Sequence, residues 1–473
     1  MPRPTSCERQ VMALYLHAVF YPRAVAVVGV TDTPDRVGYN LLESVLSGGY
    51  RGLVYPVHPR LKEVQGLKVY NRLEDVPGPV DLAVIGLNQH ATVEAVETCG
   101  RLGVKGVVCV AGGYREMGDE GKELEERLVA AARKHDMALI GPNTLGLINT
   151  EAGLNATFYP MPLRPGRVSF LSQSGGIGLV VLRKAEDEGL GINKWVGVGN
   201  RSVLEFADYL EYLAGDPGTS VIGVFMEGID DARRFVQTAA RVAETKPVVI
   251  YKAGRAEGVS YAALTHTGSM AGSFAVFRDV CRQFDLFLVS SAAELVAACK
   301  ALAYAPLPRG NGVGVLTHTA GPSIALLDRL LQHGCLVPEL RSETLDKIKE
   351  VLGPNPPVVL KNPLDGAGQA FLPEPYGRLA AALLEDPQIH LLVGIHCLHR
   401  HWRFPSRELA DLAARYGKPV LACYVSTWEG AREDREWLQE AGVPVYTSPE
   451  EAAVGAAALI HYSRRRGVST CGP

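Results

Sequence analysis

Residues 167–189 read RVSFLSQSGGIGLVVLRKAEDEG and contain the pattern of a strand, a turn and a helix in succession. Its apolar run at 167–171 predicts a buried strand, the small residues after it predict a tight turn, and the pattern at 177–188 predicts a helix. Residues 312–334 read GVGVLTHTAGPSIALLDRLLQHG and repeat the pattern. The repetition predicts two related units, each part of an open sheet that binds ligands outside the carboxyl ends of its strands.

The same alternation of strand and helix patterns runs through the rest of the chain. Short β-branched runs lie at 24–29, 52–57, 81–86, 104–110, 138–140, 194–198, 221–226, 247–251, 390–396, 419–424 and 444–446. Helical patterns separate them, which predicts βαβ units and parallel sheets of the α/β class. We expect the first domain to end near Thr150, and residues 305–312, APLPRGNG, to form a linker before the last domain.

Composition excludes several classes of protein. The chain has 473 residues, and 48 Lys and Arg against 51 Asp and Glu give a net charge of −3, so no nucleic-acid partner is expected. No apolar run approaches the roughly 20 residues of a membrane span, and the polar start does not resemble a signal peptide. The nine Cys are scattered without a CxxC pair, which predicts reduced thiols and a cytoplasmic location.

The first predicted βα turn contains Gly29, Val30 and Thr31, next to a helix N-terminus whose N–H groups suit a phosphate. Its spacing is not GxGxxG, and the second predicted strand leads to Arg60 instead of an acidic residue. A cation there suits a nucleotide with a phosphorylated ribose, such as coenzyme A, whereas an NAD-dependent dehydrogenase would carry a carboxylate. A purely structural glycine turn is the alternative interpretation.

A second small-residue turn opens the helix predicted after residue 176. It consists of Ser172, Gln173, Ser174, Gly175 and Gly176. Hydroxyl and N–H groups at a helix start can hold a phosphoryl group. A helix cap without a ligand is the alternative.

His266 lies among small hydrogen-bonding residues in the sequence LTHTGSMAG, which suits a mobile loop that presents one imidazole. A neutral histidine is a nucleophile toward phosphorus and can form a covalent intermediate. Glu227 follows the strand predicted at 221–226, where its carboxylate would fix the tautomer of such a histidine. A satisfied structural imidazole and a solvent-facing carboxylate are the alternatives.

Two polar segments complete the set of candidates. Asn143, in the sequence GPNTLG, is a candidate polar contact to a substrate, with a turn-forming role as the alternative. Residues 396–401 read HCLHRH and contain three His and one Cys. The spacing matches no recognised structural metal site, so we expect no bound metal, with a zinc or copper site as the alternative.

Ten segments, in order along the chain, resemble the NDP-forming acyl-CoA synthetase family and, within it, the α subunits of its ADP-forming members. The family is related to succinyl-CoA ligase. The segments are AVAVVGVTDTPDRVGYN, GLVYPVHPR, DLAVIGL, GPNTLGLIN, VSFLSQSGGIG, VGVGN, EFADYLEYLAGDP, MEGI, LTHTGSMAG and KNPLDGAG. Each segment alone is unspecific, whereas the ordered set is specific.

The resemblance implies three domains. The first, residues 1–150, is a Rossmann-like CoA-binding domain. The second, residues 151–305, is a succinyl-CoA-ligase-like flavodoxin domain that carries a phosphohistidine loop. The third, residues 306–473, is a second flavodoxin-like ligase domain.

The resemblance also implies a role for each candidate residue. His266 matches the phosphate-carrying histidine of the family, and Glu227 matches the glutamate that supports it. The phosphate-holding segment matches Ser172, Gln173, Ser174, Gly175 and Gly176. The CoA contacts match Gly29, Val30, Thr31, Arg60, Leu87 and Asn88. The substrate contacts match Asn143 and Thr144.

The implied reaction interconverts acyl-CoA, ADP and phosphate with a small acid, CoA and ATP, through an acyl phosphate and a phosphohistidine. No segment of this chain resembles the ATP-grasp domain that binds nucleotide in the family. The resemblance therefore implies a separate ATP-grasp β subunit that supplies ATP or ADP and Mg²⁺, in an αβ or α2β2 assembly. Neither a membrane nor a nucleic acid is expected as a partner.

The chain departs from the family pattern at Thr144, at Arg201, at the Leu87-Asn88 pair and in residues 396–401. Thr144 and Arg201 lie near the implied acyl and phosphate sites. These departures leave an alternative function, a subunit that binds CoA or acyl-CoA for regulation or as a scaffold without ligase turnover.

Overall fold

The computed structural model describes residues 15–256, 273–397, 404–425 and 431–468. The chain divides into two compact units between Ala292 and Ala293, with Asp187–Gly189 grouped with the second unit. The first unit contains two large β-sheets and the second contains a third. In the described residues, no helix combines the length and the apolar character that crossing a membrane requires.

The first sheet has five parallel strands in the order β2-β1-β5-β6-β7, and a small hairpin, β3–β4, lies outside it. The strands are β1 (Ala24–Val28), β2 (Leu53–Val57), β3 (Glu63–Val64), β4 (Leu67–Lys68), β5 (Leu82–Ile85), β6 (Gly106–Cys109) and β7 (Ala138–Ile140). The helices are α1 (Val37–Ser47), α2 (Gln89–Arg101) and α3 (Asp119–Lys134), with 3₁₀ turns at Leu73–Asp75 and Arg115–Met117. Strand β1, AVAVV, is buried along its whole length, as expected of a parallel strand that is covered on both faces.

The second sheet has seven strands in the order β14-β13-β12-β10-β11-β8-β9, of which β8 and β9 are antiparallel. The strands are β8 (Gly146–Asn149), β9 (Leu154–Thr157), β10 (Pro165–Ser172), β11 (Ile192–Gly197), β12 (Val221–Met226), β13 (Val248–Lys252) and β14 (Phe287–Val289). The helices are α4 (Gly175–Asp187), α5 (Phe206–Gly215), α6 (Ala232–Ala243) and α7 (Phe274–Gln283).

The third sheet has five parallel strands in the order β16-β15-β17-β18-β19. The strands are β15 (Val313–Thr317), β16 (Leu364–Asp365), β17 (Leu391–Cys397), β18 (Val420–Val425) and β19 (Val445–Tyr446). The helices are α8 (Ala292–Tyr304), α9 (Ala320–Gln332), α10 (Ser342–Leu352), α11 (Pro373–Glu385), α12 (Ser406–Tyr416), α13 (Ala431–Glu440) and α14 (Pro449–Arg465), with a 3₁₀ turn at Ala367–Phe371.

The three sheets share one order of parallel strands. If the parallel strands of each sheet are numbered along the chain, all three have the order 2-1-3-4-5. In such doubly wound sheets the strand order reverses between the first and third strands, which are parallel, and ligands bind outside the carboxyl ends of these two strands. The fold therefore points to three switch points, at β1/β5, β10/β12 and β15/β17.

The predicted α/β class is confirmed, and the repeated sequence pattern corresponds to equivalent places in two sheets. Strand β10 with helix α4, and strand β15 with helix α9, are the first strand and first helix of their parallel sets. The turns match in detail, because the Ser172 hydroxyl donates to the Ser174 carbonyl at 2.8 Å and the Thr317 hydroxyl donates to the Thr319 carbonyl at 2.8 Å.

Sequence patterns did not predict the hairpin β8–β9. Strand β8 pairs with β11, so the chain joins the second sheet before Thr150, where we expected the first domain to end. The strand sequences, GLIN and LNAT, are four residues long and do not alternate strictly between apolar and polar residues. The three domain boundaries stay predictions.

Strand β11 contains a lysine that is shielded from water. The Lys194 side chain is 0% exposed, and its Nζ lies 2.9 Å from Asp216 Oδ2, 2.7 Å from Asn193 Oδ1 and 3.1 Å from Tyr21 Oη. The Asp216 carboxylate is also buried and accepts a hydrogen bond from Thr219 at 2.5 Å. Because both charges have left water, the Asp216 carboxylate depends on Lys194 for compensation, while Lys194 also lies 3.6 Å from the partly exposed Glu151 carboxylate.

Replacement of Lys194 by Met is expected to lower the free energy of unfolding by about 3–5 kcal/mol, because the Asp216 carboxylate stays buried without its cation. Urea unfolding followed by circular dichroism measures this change. The matched control is Lys134→Met, which removes the more exposed lysine that pairs with Glu97 and should cost no more than about 1 kcal/mol. Equal effects of the two substitutions would contradict the buried pair.

Candidate functional site

A cavity of about 490 Å³ lies in the first unit, where the carboxyl ends of strands from both its sheets meet. Its lining residues follow strands β5, β6, β7, β10 and β11, with contributions from α1 and the segment after β9. They are Val37, Gly86, Leu87, Val110, Ala111, Asn143, Thr144, Leu145, Phe158, Gln173, Ser174, Gly175, Gly176, Gly199 and Asn200. Among the described residues, none with a charged side chain lines this cavity.

The first βα turn is shaped by two close backbone approaches. Gly29 has φ of +88°, and its N–H donates to the Val57 carbonyl at 3.0 Å. A Cβ on Gly38, in the first turn of α1, would lie 2.1 Å from the Gly29 carbonyl oxygen. Both positions therefore require glycine. Val30 is buried, and the Thr31 hydroxyl accepts from the Thr33 N–H at 3.2 Å.

The predicted CoA contacts occupy different positions around the first switch point. Leu87 lines the cavity. Asn88 caps helix α2, because its Oδ1 accepts from the Ala91 N–H at 3.0 Å. Arg60 is exposed beyond the carboxyl end of β2. In the described part of the chain, Gly29, Arg60 and Asn88 are not among the residues that line the cavity.

Asn143 and Thr144 both line the cavity, but their side chains are engaged differently. The Thr144 hydroxyl donates to the Gly197 carbonyl at 2.5 Å and accepts from the Gly146 N–H at 3.0 Å. These bonds tie the end of the first sheet to strand β11. The Asn143 Nδ2 makes a long contact of 3.4 Å to Asn200 Oδ1. Asn143 is therefore the more available polar contact of the two.

The segment after β10 presents the start of helix α4 to the cavity. The first N–H groups of a helix have no acceptor within it, and Gly175 and Gly176 line the cavity. The Ser174 hydroxyl accepts from the Ile177 N–H at 3.4 Å. The Ser172 hydroxyl donates to the Ser174 carbonyl, so its proton is not available to a ligand. Among the described residues, Ser172 does not line the cavity.

The side chain of Gln173 joins the two central strands of the second sheet. Its Oε1 accepts from the backbone N–H of Glu227 at 2.8 Å and from that of Gly228 at 3.1 Å. The residue is 4% exposed. Its Nε2 has no hydrogen-bond partner in the described part of the chain.

Glu227 follows β12 and is half-buried. Its backbone is held from both sides, because its N–H donates to Gln173 and its carbonyl accepts from Lys252 Nζ at 2.5 Å. Burial lowers the pKa of Lys252, and the nearby Glu227 carboxylate opposes that shift. Within the described residues, Glu227 does not line the cavity. His266 lies in residues 257–272, outside the described residues.

A cluster of carboxylates lies behind the cavity wall formed by Asn200. The Asn200 Nδ2 donates to Glu116 Oε2 at 2.7 Å and to Glu125 Oε2 at 3.1 Å. Burial alone would raise the pKa of Glu116, but the hydrogen bonds from Asn200 and from the backbone of Gly113 and Tyr114 hold it below its usual range. Asn200 thus holds two carboxylates in place at the edge of the site.

Arg201, one of the departures from the family pattern, follows Asn200 in the chain and pairs with two other carboxylates. Its side chain is fully buried and pairs with Glu205 at 2.6 Å, with Asp230 at 3.6 Å. Burial raises the pKa of Glu205, and the Arg201 charge opposes that shift. Arg201 therefore compensates the largely buried Glu205 carboxylate and, among the described residues, does not line the cavity.

Part of the HCLHRH segment is also described. His396 is buried at the end of β17, and burial, together with the neighbouring His318, lowers its pKa to about 3. The Cys397 N–H donates to His318 Nε2 at 2.8 Å. Residues 398–403 lie outside the described residues.

Sequence reasoning missed three of the lining residues that shape the site. Asn200 ends the sequence VGVGN, which contributed to the family resemblance but indicated no role for Asn200 itself. Leu145 and Phe158 give the cavity an apolar wall beside its polar helix end. No local pattern marks them, because their role depends on how β8 and β9 join the second sheet.

Comparison with known proteins connects this site to two domain families. Residues 23–150 match a family described as CoA binding domain, and residues 165–302 match one described as succinyl-CoA ligase like flavodoxin domain. The cavity lies where the two matched regions meet. The matched families agree with the domain types that the ordered motifs imply.

Relatives match the chain over nearly its whole length. It is 37% identical over 454 residues to the acetate–CoA ligase [ADP-forming] II subunit alpha of Pyrococcus furiosus, covering 95% of this chain and 98% of that one. It is 35% identical to the acetate–CoA ligase [ADP-forming] I of Archaeoglobus fulgidus, covering 95% of this chain and 64% of that longer one.

A solved structure also matches, a dinucleotide forming acetyl-coenzyme A synthetase 1 from Ca. Korarchaeum cryptofilum in complex with phosphate and ADP. The TM-score is 0.86 at 34% identity, covering 96% of this chain and 98% of that chain. The resemblance carried by the ordered motifs is thus confirmed, and the chain belongs to the family of ADP-forming acetate–CoA ligases.

Proposed function

We propose that the chain is the α subunit of an ADP-forming acyl-CoA synthetase, an acid–thiol ligase that interconverts acyl-CoA, ADP and phosphate with acid, CoA and ATP. One observation carries the proposal: the cavity places the switch point of the CoA-binding sheet against the free N–H groups at the start of α4. A thioester and a phosphate can meet there. The names of the relatives support the same activity.

Coenzyme A would bind across the first switch point. The close-packed turn at Gly29, Val30 and Thr31 would lie against its phosphates, and Arg60 would pair with the ribose phosphate. Leu87 would contact the thiol arm where it enters the cavity, with Asn88 fixing the helix beside it. Asn143 would contact the acyl group, and Thr144 would form the wall behind it.

Phosphate would bind at the start of α4, against Gly175 and Gly176. Its oxygen attacks the thioester carbonyl, a C–O bond forms, the C–S bond breaks, and the phosphate proton passes to the departing CoA sulfur. The products are an acyl phosphate and CoA. His266 then takes the phosphoryl group from the acyl phosphate, which releases the acid.

His266 needs an unprotonated nitrogen to attack phosphorus, and the Glu227 carboxylate would hold the proton on the other ring nitrogen. The backbone of Glu227, held by Gln173 and Lys252, supports such a fixed position. The phosphohistidine would pass its phosphoryl group to ADP on a partner subunit. We propose an ATP-grasp β subunit, which binds ADP and Mg²⁺, in an αβ or α2β2 assembly.

The phosphohistidine can be detected directly by intact-protein mass spectrometry. We expect the chain, mixed with its ATP-grasp partner, ATP and Mg²⁺ at neutral-to-alkaline pH, to gain one acid-labile phosphoryl group. His266→Ala should abolish the gain, because no other residue carries the group, whereas the control His135→Ala should retain it. No gain, with a partner that binds and exchanges ATP, would contradict ligase activity and leave CoA binding as the function.

Arg60 can be tested with two ligands that differ only in the ribose phosphate. Arg60→Ala should raise the Kd for CoA about ten- to hundredfold, because it removes a charged hydrogen bond, and should leave the Kd for 3′-dephospho-CoA unchanged. Isothermal titration calorimetry measures both. The control Arg51→Ala removes an exposed arginine just before the start of β2, at the end of the strand opposite to Arg60. Equal losses for both ligands would contradict the assignment.

Glu227→Gln should slow phosphorylation of His266 by about 10²-fold or more, because a carboxamide no longer stabilises the reactive tautomer. The backbone bonds of residue 227 survive this change, so the thermal unfolding midpoint should not move. Rapid quenching with radiolabelled ATP gives the rate, and Glu244→Gln, at the exposed end of α6, is the control. An unchanged rate would remove Glu227 from the reaction.

A further inference from the structure

The carboxamide of Gln173 has a fixed orientation. Two backbone N–H groups, of Glu227 and Gly228, point at one end of it, at 2.8 and 3.1 Å. An amide NH₂ cannot accept two hydrogen bonds, so that end must be the oxygen. The nitrogen end is therefore fixed as well, with its two donors turned away from β12.

Those two donors are unused in the described part of the chain. Gln173 Nε2 has no hydrogen-bond partner there, and almost no water reaches the atom. An unpaired buried donor costs about 1–3 kcal/mol, and native proteins leave few such groups. Gln173 is one of the residues that line the cavity, and a ligand bound there is the partner that we infer for this donor.

The other side-chain amides of the cavity each have at least one partner among the described residues. Asn200 uses its Nδ2 on two carboxylates, and Asn143 directs its Nδ2 toward Asn200. The Thr144 hydroxyl donates to a backbone carbonyl. None of the described residues that line the cavity has a charged side chain, and Gln173 is the lining amide whose nitrogen has no hydrogen-bond partner among them.

Resting on the function proposed above, we propose that Gln173 is a catalytic residue: its Nε2 donates to the acyl carbonyl oxygen of the thioester while phosphate attacks the carbonyl carbon. As the C–O bond forms, the carbonyl electron pair moves onto that oxygen. It returns when the C–S bond breaks and the sulfur takes the phosphate proton. A fixed donor that is shielded from water stabilises the transient negative oxygen without having to reorganise.

Two variants separate loss of the donor from other effects. Gln173→Glu keeps an oxygen for the N–H groups of Glu227 and Gly228 but removes the donor and adds a charge. Gln173→Met is of similar length, adds no charge and also removes the donor. Effects common to both variants therefore report the donor. Gln237→Glu, on the exposed face of α6, is the matched control.

His266 can receive its phosphoryl group from either of two donors, an acyl phosphate or ATP. Only the route through the acyl phosphate includes attack on the thioester carbonyl. The first uses phosphate with an acyl-CoA, taken as the best substrate of the wild-type chain among straight, branched and aryl acyl-CoAs. The second uses ATP through the ATP-grasp partner. We expect both Gln173 variants to lose about 10²–10³-fold in the first rate, with the KM for phosphate unchanged in the Met variant, and to keep the second rate within a few-fold.

The possible outcomes are distinct. Equal losses in the two directions would mean that Gln173 holds the phosphoryl group, and no loss in either would mean that its donor is unused; each overturns the inference. If both variants change the unfolding midpoint and lose CoA binding, Gln173 has only a structural role. That result would also overturn the inference. If the wild-type chain is phosphorylated from neither direction, the proposed function itself fails.

Discussion

The hydrogen bonds from the backbone of Glu227 and Gly228 to Gln173 fix the carboxyl ends of β10 and β12 relative to each other. The start of α4 and the residue proposed to support the phosphohistidine depend on this junction. It lies at the switch point of the second sheet, where the doubly wound order opens a crevice. On the facing side, the Thr144 hydroxyl ties the first sheet to β11 and closes the cavity wall. Two side chains thus bring the end of the sheet in the CoA-binding-domain match and the start of α4, where we propose that phosphate binds, to one cavity.

The third sheet contains the same junction with different chemistry. His318 occupies the position after β15 that Gln173 occupies after β10, and its Nε2 accepts from the N–H of Cys397, at the end of β17. An accepting Nε2 carries no proton, and burial lowers the pKa of His318, with Asp365 opposing the shift. The ring is therefore held neutral. A side-chain acceptor thus bridges the first and third strands in both sheets, although the residue that provides it differs.

Much of the fold could be predicted from sequence, because parallel strands buried on both faces leave continuous apolar runs such as AVAVV at β1. The position of the site was predictable in part: Asn143 and Gly175 were candidates from their turns and Leu87 from the family resemblance, and all three line the cavity, while their ligand contacts stay predictions. The bonds between Gln173 and residues 227 and 228, and between Asn200 and Glu116, were not predictable, since they join distant segments and no local pattern encodes them. The hairpin β8–β9 could not be predicted because its short strands show no clear alternation of apolar and polar residues.

The central claim is that the thioester and phosphate react in the 490 Å³ cavity. A crystal structure of the chain with phosphate and an unreactive acyl-CoA analogue, in which a methylene group replaces the thioester sulfur, tests this directly. We expect phosphate at Gly175 and Gly176, and the analogue's carbonyl oxygen about 2.7–3.1 Å from Gln173 Nε2. An acyl group bound instead in the separate 430 Å³ cavity beside His90 and Arg127, with no phosphate at α4, would contradict the account.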